Sequence, residues 1–222
     1  MKVPWMRRAA RVAALLLTLG PPRVAAEDLD RETVARRLQG WLDGTRELTC
    51  RFEQRLLSGA LGTGPLESGT VYLLRPGRMR WEYVEPEAKT ALLEGDRTVI
   101  YLPEDRQLIR GRLPREGCSI HRLLAGTGRI EDLFSAFLVA TPRAGGQGAY
   151  RLRLVPKEAT EGFEEVTLVL RPPAFAIEEA QVLDAAGNRI VYRFSHLRRN
   201  RGLPDTVFHL ERPPGTEIVE SQ

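Results

Sequence analysis

Apolar residues over 31–44 recur at helical spacing, with Val34, Leu38, Trp41 and Leu42 at i, i+4, i+7 and i+8. Asp30 stands where a side-chain oxygen would cap the first turn, and Gly44 where the stripe ends, so the pattern predicts a helix with one apolar face. That face needs something to pack on. From Leu48 the period falls to two: Leu48, Cys50 and Phe52 share one face, with Thr49, Arg51 and Glu53 on the other, as in a half-buried strand. The Gly/Pro-rich stretch over 59–65 predicts a turn, 68–74 a second strand, and Arg75-Pro76-Gly77-Arg78 a tight turn. Met79, Trp81 and Tyr83 then alternate strictly with Arg80, Glu82 and Val84, and further strands are predicted over 90–93, 97–102 and 107–112.

Between Cys118 and Leu138 the spacing turns helical again. Ile120, Leu123 and Leu124, then Ile130, Leu133, Phe134, Phe137 and Leu138, predict two short helices on either side of Gly126-Thr127-Gly128. Period two returns over 150–155, 165–170, 176–183, 189–197 and 206–210, with turns at 184–188 and 200–204. There is no internal repeat and no low-complexity tract. The fold class expected is mainly β (α+β): one long, curled antiparallel sheet interrupted by helices at its start and middle.

The first 26 residues change this picture, because they read as a removable export signal. Lys2, Arg7, Arg8 and Arg11 precede the apolar run over 12–19, followed by Pro21, Pro22 and the small-residue site Val24-Ala25-Ala26. The run is shorter than the roughly 20 apolar residues a membrane-spanning helix needs. The expected organisation is therefore a signal peptide over 1–26 and one exported, soluble domain over 27–222. Removing the signal takes five basic residues and no acid, which leaves 28 Lys and Arg against 29 Asp and Glu. A domain so balanced lacks the electrostatic footprint of a nucleic-acid binder despite the sequence pI of 9.4.

No catalytic pattern emerges. Gly-x-Ser-x-Gly, His-Glu-x-x-His, a Walker loop and Cys-x-x-Cys are all missing, and the three histidines, His121, His196 and His209, are scattered, so no enzyme, metal or cofactor is expected. Gly126-Thr127-Gly128 reads as a flexible joint between apolar segments rather than a phosphate loop. Cys50 and Cys118, 68 residues apart, match no metal-site spacing, and in an exported chain they can be paired or free. Arg198, Arg199 and Arg201 make a basic hairpin tip, either a solvated turn or a contact for an acidic partner or anionic lipid.

A resemblance enters at Leu48-Thr49-Cys50-Arg51-Phe52-Glu53-Gln54 and at the run from Ser68-Gly69-Thr70 through Arg75-Pro76 to Trp81 and Tyr83. The Gly-x-x-x-x-x-Arg-Pro-x-x-x-x-Trp core with a preceding Phe-x-Gln resembles the outer-membrane lipoprotein carrier (LolA) family, and the likeness extends over the mature chain. It implies an incomplete antiparallel β-barrel of about eleven strands with lid helices over an apolar concave face. On that frame Cys50, Phe52, Val71, Leu73, Met79, Trp81 and Tyr83 would line an acyl-chain cavity, and Leu123, Leu124, Phe134 and Phe137 would belong to the lid. Arg75 continues the inward parity of Val71 and Leu73, so its charge would sit at the rim of an apolar hollow and need acceptors. In the family the arginine of this Arg-Pro pair bonds the lid shut. The implied function is that of a monomeric periplasmic chaperone for lipoprotein acyl chains, loaded by an inner-membrane ABC-type release complex and discharged to an outer-membrane receptor. A carrier of other lipids, or a sensor domain on the same fold, is the alternative.

Overall fold

The Asp30 carboxylate accepts the Thr33 backbone N–H at 2.8 Å and so starts α1 (Arg31–Asp43) where the sequence places it. The computed structural model describes residues 29–113, 122–124, 126–141, 148–158 and 163–221. The expected signal over 1–26, with Cys118, Ile120 and His121, lies outside the described residues. Val34, Leu38 and Leu42 form the buried stripe of α1, and Trp41 beside them is half-buried.

The chain then enters a single sheet. Its strands are β1 (Glu47–Ser58), β2 (Gly62–Leu74), β3 (Arg78–Glu85), β4 (Lys89–Glu94), β5 (Arg97–Leu102), β6 (Gln107–Arg112), β7 (Phe134–Ala140), β8 (Tyr150–Pro156), β9 (Glu165–Arg171), β10 (Ala176–Leu183), β11 (Arg189–Arg199) and β12 (Glu217–Glu220). Their order is β12-β6-β5-β4-β3-β2-β1-β11-β10-β9-β8-β7, so among the described residues two unpaired edges remain and the barrel is incomplete. Neighbouring strands are antiparallel, except that β12 runs parallel to β6. The mainly β, open-barrel expectation therefore holds, with twelve strands rather than about eleven.

Three local readings need correction. Phe134, Phe137 and Leu138 are not helical: only α2 (Ile130–Leu133) is, and Phe134 opens the edge strand β7. Phe134 faces the core, whereas Phe137 lies on the opposite face, 40% exposed, with the Arg153 guanidinium 4.9 Å from its ring centroid. Neither can serve as a lid-helix residue, because period two sends them to opposite faces of the sheet. The predicted turn over 59–65 is shorter, since β2 begins at Gly62. Instead of a strand over 206–210 there is a 3-10 turn, Asp205–Phe208, whose Phe208 is buried.

Register fixes one continuous inner face. Leu138, Leu152, Leu168, Ala180, Tyr192, Gln54 and Glu67 stand opposite one another from β7 across to β2. Over β7 to β10 this face meets α1 and forms the main core, in which Leu38, Leu152, Leu154 and Leu170 are fully buried. Over β1, β2, β3 and β11 it carries a second cluster built on Cys50, Phe52 and Val71.

Candidate functional site

The second cluster is where the sequence's inward-facing residues converge. Phe52 stands opposite Gly69, which stands opposite Tyr83, while Cys50, Val71 and Trp81 form the next row. Because Gly69 has no side chain, the Phe52 ring closes over it and meets Trp81 and Tyr83 edge-on, each at 4.9 Å between centroids. Trp81 in turn approaches Tyr192 at 5.5 Å and Phe194 at 6.4 Å. Cys50, Phe52 and Val71 are buried, but Trp81, Tyr83, Tyr192 and Phe194 are only half-buried. Leu73 and Met79, paired in register at the end nearer the β2–β3 turn, are buried as well.

At that turn Arg75 reaches away from the sheet. Its Nη1 donates to the Leu42 carbonyl at 2.6 Å, Nε to Leu124 at 3.0 Å and Nη2 to Leu123 at 3.2 Å. One guanidinium thereby joins the sheet, the last turn of α1 and the helical segment 122–124. The Leu42 carbonyl also accepts the Thr45 backbone N–H at 3.0 Å, and a cation at a helix C-terminus is favoured by the helix dipole. Partial burial lowers the Arg75 pKa from its ordinary value, with Asp43 acting in the opposite direction. Leu123 anchors its segment in the main core, whereas Leu124 is half-buried. Gly126 adopts φ +80° and lies so close that a Cβ there would stand 3.1 Å from Arg75 Cδ.

The same helix end is also held from β11. Arg199 Nη1 donates to the Trp41 carbonyl at 3.0 Å and to Thr45 Oγ1 at 3.3 Å, its guanidinium 5.5 Å from the Trp41 ring centroid. Arg199 is thus engaged within the fold rather than free for a partner, a correction to the hairpin-tip reading. Arg198 and Arg201 remain exposed. Asn200 Nδ2 donates to the Gly44 carbonyl at 2.8 Å, and the Leu203 and Gly202 N–H groups both donate to Glu47, holding its carboxyl below the usual range.

Burial pushes the Cys50 thiol up to about 12, which keeps it an unreactive, free thiol. No group of three His, Cys, Asp or Glu among the described residues could hold a metal. No helix among them is long and apolar enough to cross a membrane. What the arrangement offers is an aromatic wall, half open to solvent, beside a segment fastened by one arginine.

Comparison with known proteins places this geometry. The family model for LolA, described as outer membrane lipoprotein carrier protein LolA, matches residues 43–211. The chain belongs to the LolA family. A relative from Dechloromonas aromatica named outer-membrane lipoprotein carrier protein is 30% identical over 193 residues, covering 82% of this chain and 85% of that one. One of the same name from Methylococcus capsulatus is 29% identical, covering 84% and 87%. A solved structure of an uncharacterized conserved protein from Thermus thermophilus is 14% identical, with a TM-score of 0.53 over 86% of this chain and 98% of that one, a likeness of fold alone.

Within this LolA-family chain, then, the structure brings Cys50, Phe52, Val71, Trp81 and Tyr83 into one cluster and puts Leu73 and Met79 on the same face. It sets Arg75 against Leu123 and Leu124, and it puts Phe134 and Phe137 in strand β7 rather than in a helix. Sequence reasoning missed Tyr192 and Phe194. Their alternation with Val191, Arg193 and Ser195 was visible, but that β11 lies beside β1 is a long-range pairing which no local spacing reports.

Proposed function

We propose that this chain is a periplasmic chaperone that binds the acyl chains of lipoproteins and carries lipoproteins from the inner to the outer membrane. The observation that carries this reading is the triple hydrogen bond from Arg75 to the Leu42, Leu123 and Leu124 carbonyls, set at the rim of the aromatic face. The acyl chains of one lipoprotein hold roughly 45 methylenes, and at about 0.8 kcal/mol each their exposure to water would cost tens of kcal/mol. A carrier must replace most of that apolar contact and still release it.

The Arg75 clasp supplies the release. In the empty protein it holds the 122–124 segment and the end of α1 against the sheet; acyl chains entering along Trp81, Tyr83, Tyr192 and Phe194 displace that segment. The free energy of closing is then subtracted from that of lipid binding, which keeps the grip moderate. Residues 1–26 direct export, an inner-membrane ABC-type complex loads the carrier, and an outer-membrane receptor binding more tightly draws the cargo off. The working unit is a monomer.

Replacing Arg75 with Leu removes charge-assisted bonds worth about 1.5–3 kcal/mol each before compensation, and so should favour the open state. Loaded with a purified lipoprotein and mixed with acceptor vesicles, R75L should retain cargo at least about tenfold longer than wild type, a 1.4 kcal/mol difference. Equal transfer by the two proteins would remove Arg75 from this role. Mass spectrometry of lipids extracted from the protein purified from the periplasm tests the cargo, and phospholipid or glycolipid alone would replace the lipoprotein reading with that of a general lipid carrier.

A further inference from the structure

The aromatic half of the inner face is interrupted by one polar group. Gln54 is in register with both Glu67 and Tyr192, and Tyr83 with Lys89, so all five side chains share the face that carries Phe52 and Trp81. They are linked in series. Tyr83 Oη donates to Gln54 Oε1 at 2.9 Å, Gln54 Nε2 donates to Glu67 Oε2 at 2.9 Å, and Lys89 Nζ donates to Glu67 Oε1 while lying 4.2 Å from the Tyr83 ring centroid. The Glu67 and Lys89 side chains keep only 22% and 30% of their surface exposed. An ion pair withdrawn from water beside Tyr83 and Tyr192 adds little stability over an apolar pair, since desolvation offsets the attraction. Stability alone is therefore a poor account of it.

The unused bonding capacity is more informative. Each acceptor oxygen in the series already holds a donor. Among the described residues Lys89 has two N–H groups to spare, and the Tyr192 hydroxyl meets no acceptor. Burial, reinforced by the Glu67 charge, pushes the Tyr192 hydroxyl up to about 12, so it stays a donor at neutral pH. The charges of Glu67 and Lys89 cancel, and Glu67 would repel a phosphate or carboxylate placed against them. Surplus donors in a locally neutral, half-dry setting suit an uncharged acceptor, and the carbonyl of an ester or amide is the commonest in a lipid.

We propose that Gln54, Glu67, Lys89 and Tyr192 form a polar subsite for the ester and amide carbonyls that join acyl chains to an uncharged head. This rests on the carrier reading above and assigns the orientation of the cargo. About eight residues of strand, roughly 25 Å at 3.3 Å each, separate Arg75 from Gln54, so the carbonyl junction lies at the far end and the acyl tails run toward the clasp.

The test is a fluorescence titration of the full chain with three probes: a labelled tripalmitoyl-cysteinyl peptide, its alkyl-ether analogue lacking the chain carbonyls, and palmitate. Wild type should bind the ester peptide about tenfold more tightly than the ether, and Y192F and K89M should each lose about three- to tenfold on the ester and nothing on the ether, the scale of one or two hydrogen bonds. Y192F keeps the ring that stacks on Phe194, so it is the variant that retains the fold should K89M not. Ester binding unchanged in both variants overturns the subsite while leaving the carrier function intact. Palmitate bound best by wild type, with K89M abolishing that preference, makes the cluster a carboxylate site and overturns the ester assignment. Failure of wild type to bind either peptide sinks the carrier reading itself, and the subsite with it.

Discussion

Over β7 to β10 the inner face of the sheet is closed by α1, and its leucines, Leu38 from the helix and Leu152, Leu154 and Leu170 from the strands, are fully buried. Over β1 to β3 and β11 the same face carries Trp81, Tyr83, Tyr192 and Phe194, all half-buried and packed on one another. Side chains buried this completely leave little room for a guest among them. Rings meeting edge-on, tilted or stacked at 4.9 to 6.4 Å leave apolar surface that a flexible chain can still cover. One half thus secures the fold and the other holds capacity, under the function proposed above. Arg75, bonded to α1 and to 122–124, stands where they meet.

Gly69→Ala should do the most damage. A Cβ there would lie 1.8 Å from the Glu82 carbonyl oxygen, 2.8 Å from its carbon and 3.0 Å from Phe52 Cε1, so the β3 backbone itself must move. The expected loss is about 4 kcal/mol or more, the range reserved for strain of this kind, read from chemical denaturation. An alanine variant of wild-type stability would mean that β2 and β3 part easily, and that the aromatic half is looser than its register implies.

Next comes a paired experiment. Leu38→Ala, in the aliphatic half, should cost about 2–5 kcal/mol and leave the lipopeptide affinity of the folded protein unchanged. Trp81→Ala should cost less, about 2 kcal/mol because the ring is only half-buried, but should weaken lipopeptide binding about tenfold through lost apolar contact. Equal effects of the two substitutions on affinity would erase the division between the halves.

Much of this division was legible in the sequence, and the limits have physical causes. Leu48, Cys50 and Phe52, then Met79, Trp81 and Tyr83, alternate strictly because one side of each strand meets an apolar layer and the other meets water. Arg75 stood out for the same reason, as a charge on the apolar parity. Phe134, Phe137 and Leu138 misled because β7 carries apolar residues on both faces, and i, i+3, i+4 spacing in a short apolar run fits a helix equally well. The polar series of Gln54, Glu67 and Lys89 could not be seen, since its members come from three strands whose register no single segment encodes. Arg199 read as a surface charge because the helix end it holds lies 158 residues earlier.

The smallest expected effect concerns how the aliphatic half is fastened at its start. The Asp30 carboxylate lies below its ordinary pKa of 3.8 chiefly because it accepts the Thr33 backbone N–H, a bond that only the charged, folded form makes fully. A carboxyl depressed on folding adds stability at pH values above its unfolded pKa, and that contribution disappears as the pH falls through the folded value. Stability measured from pH 6 down to pH 3 should therefore include a decline below about pH 3.8 due to this cap. Asp30→Asn retains a capping oxygen but cannot titrate, so it should match wild type within a few degrees of Tm at pH 6 and show a shallower decline in acid. Parallel acid profiles for the two would show that the cap is replaced by water at no loss, and that α1 is held by Leu38 and its neighbours alone.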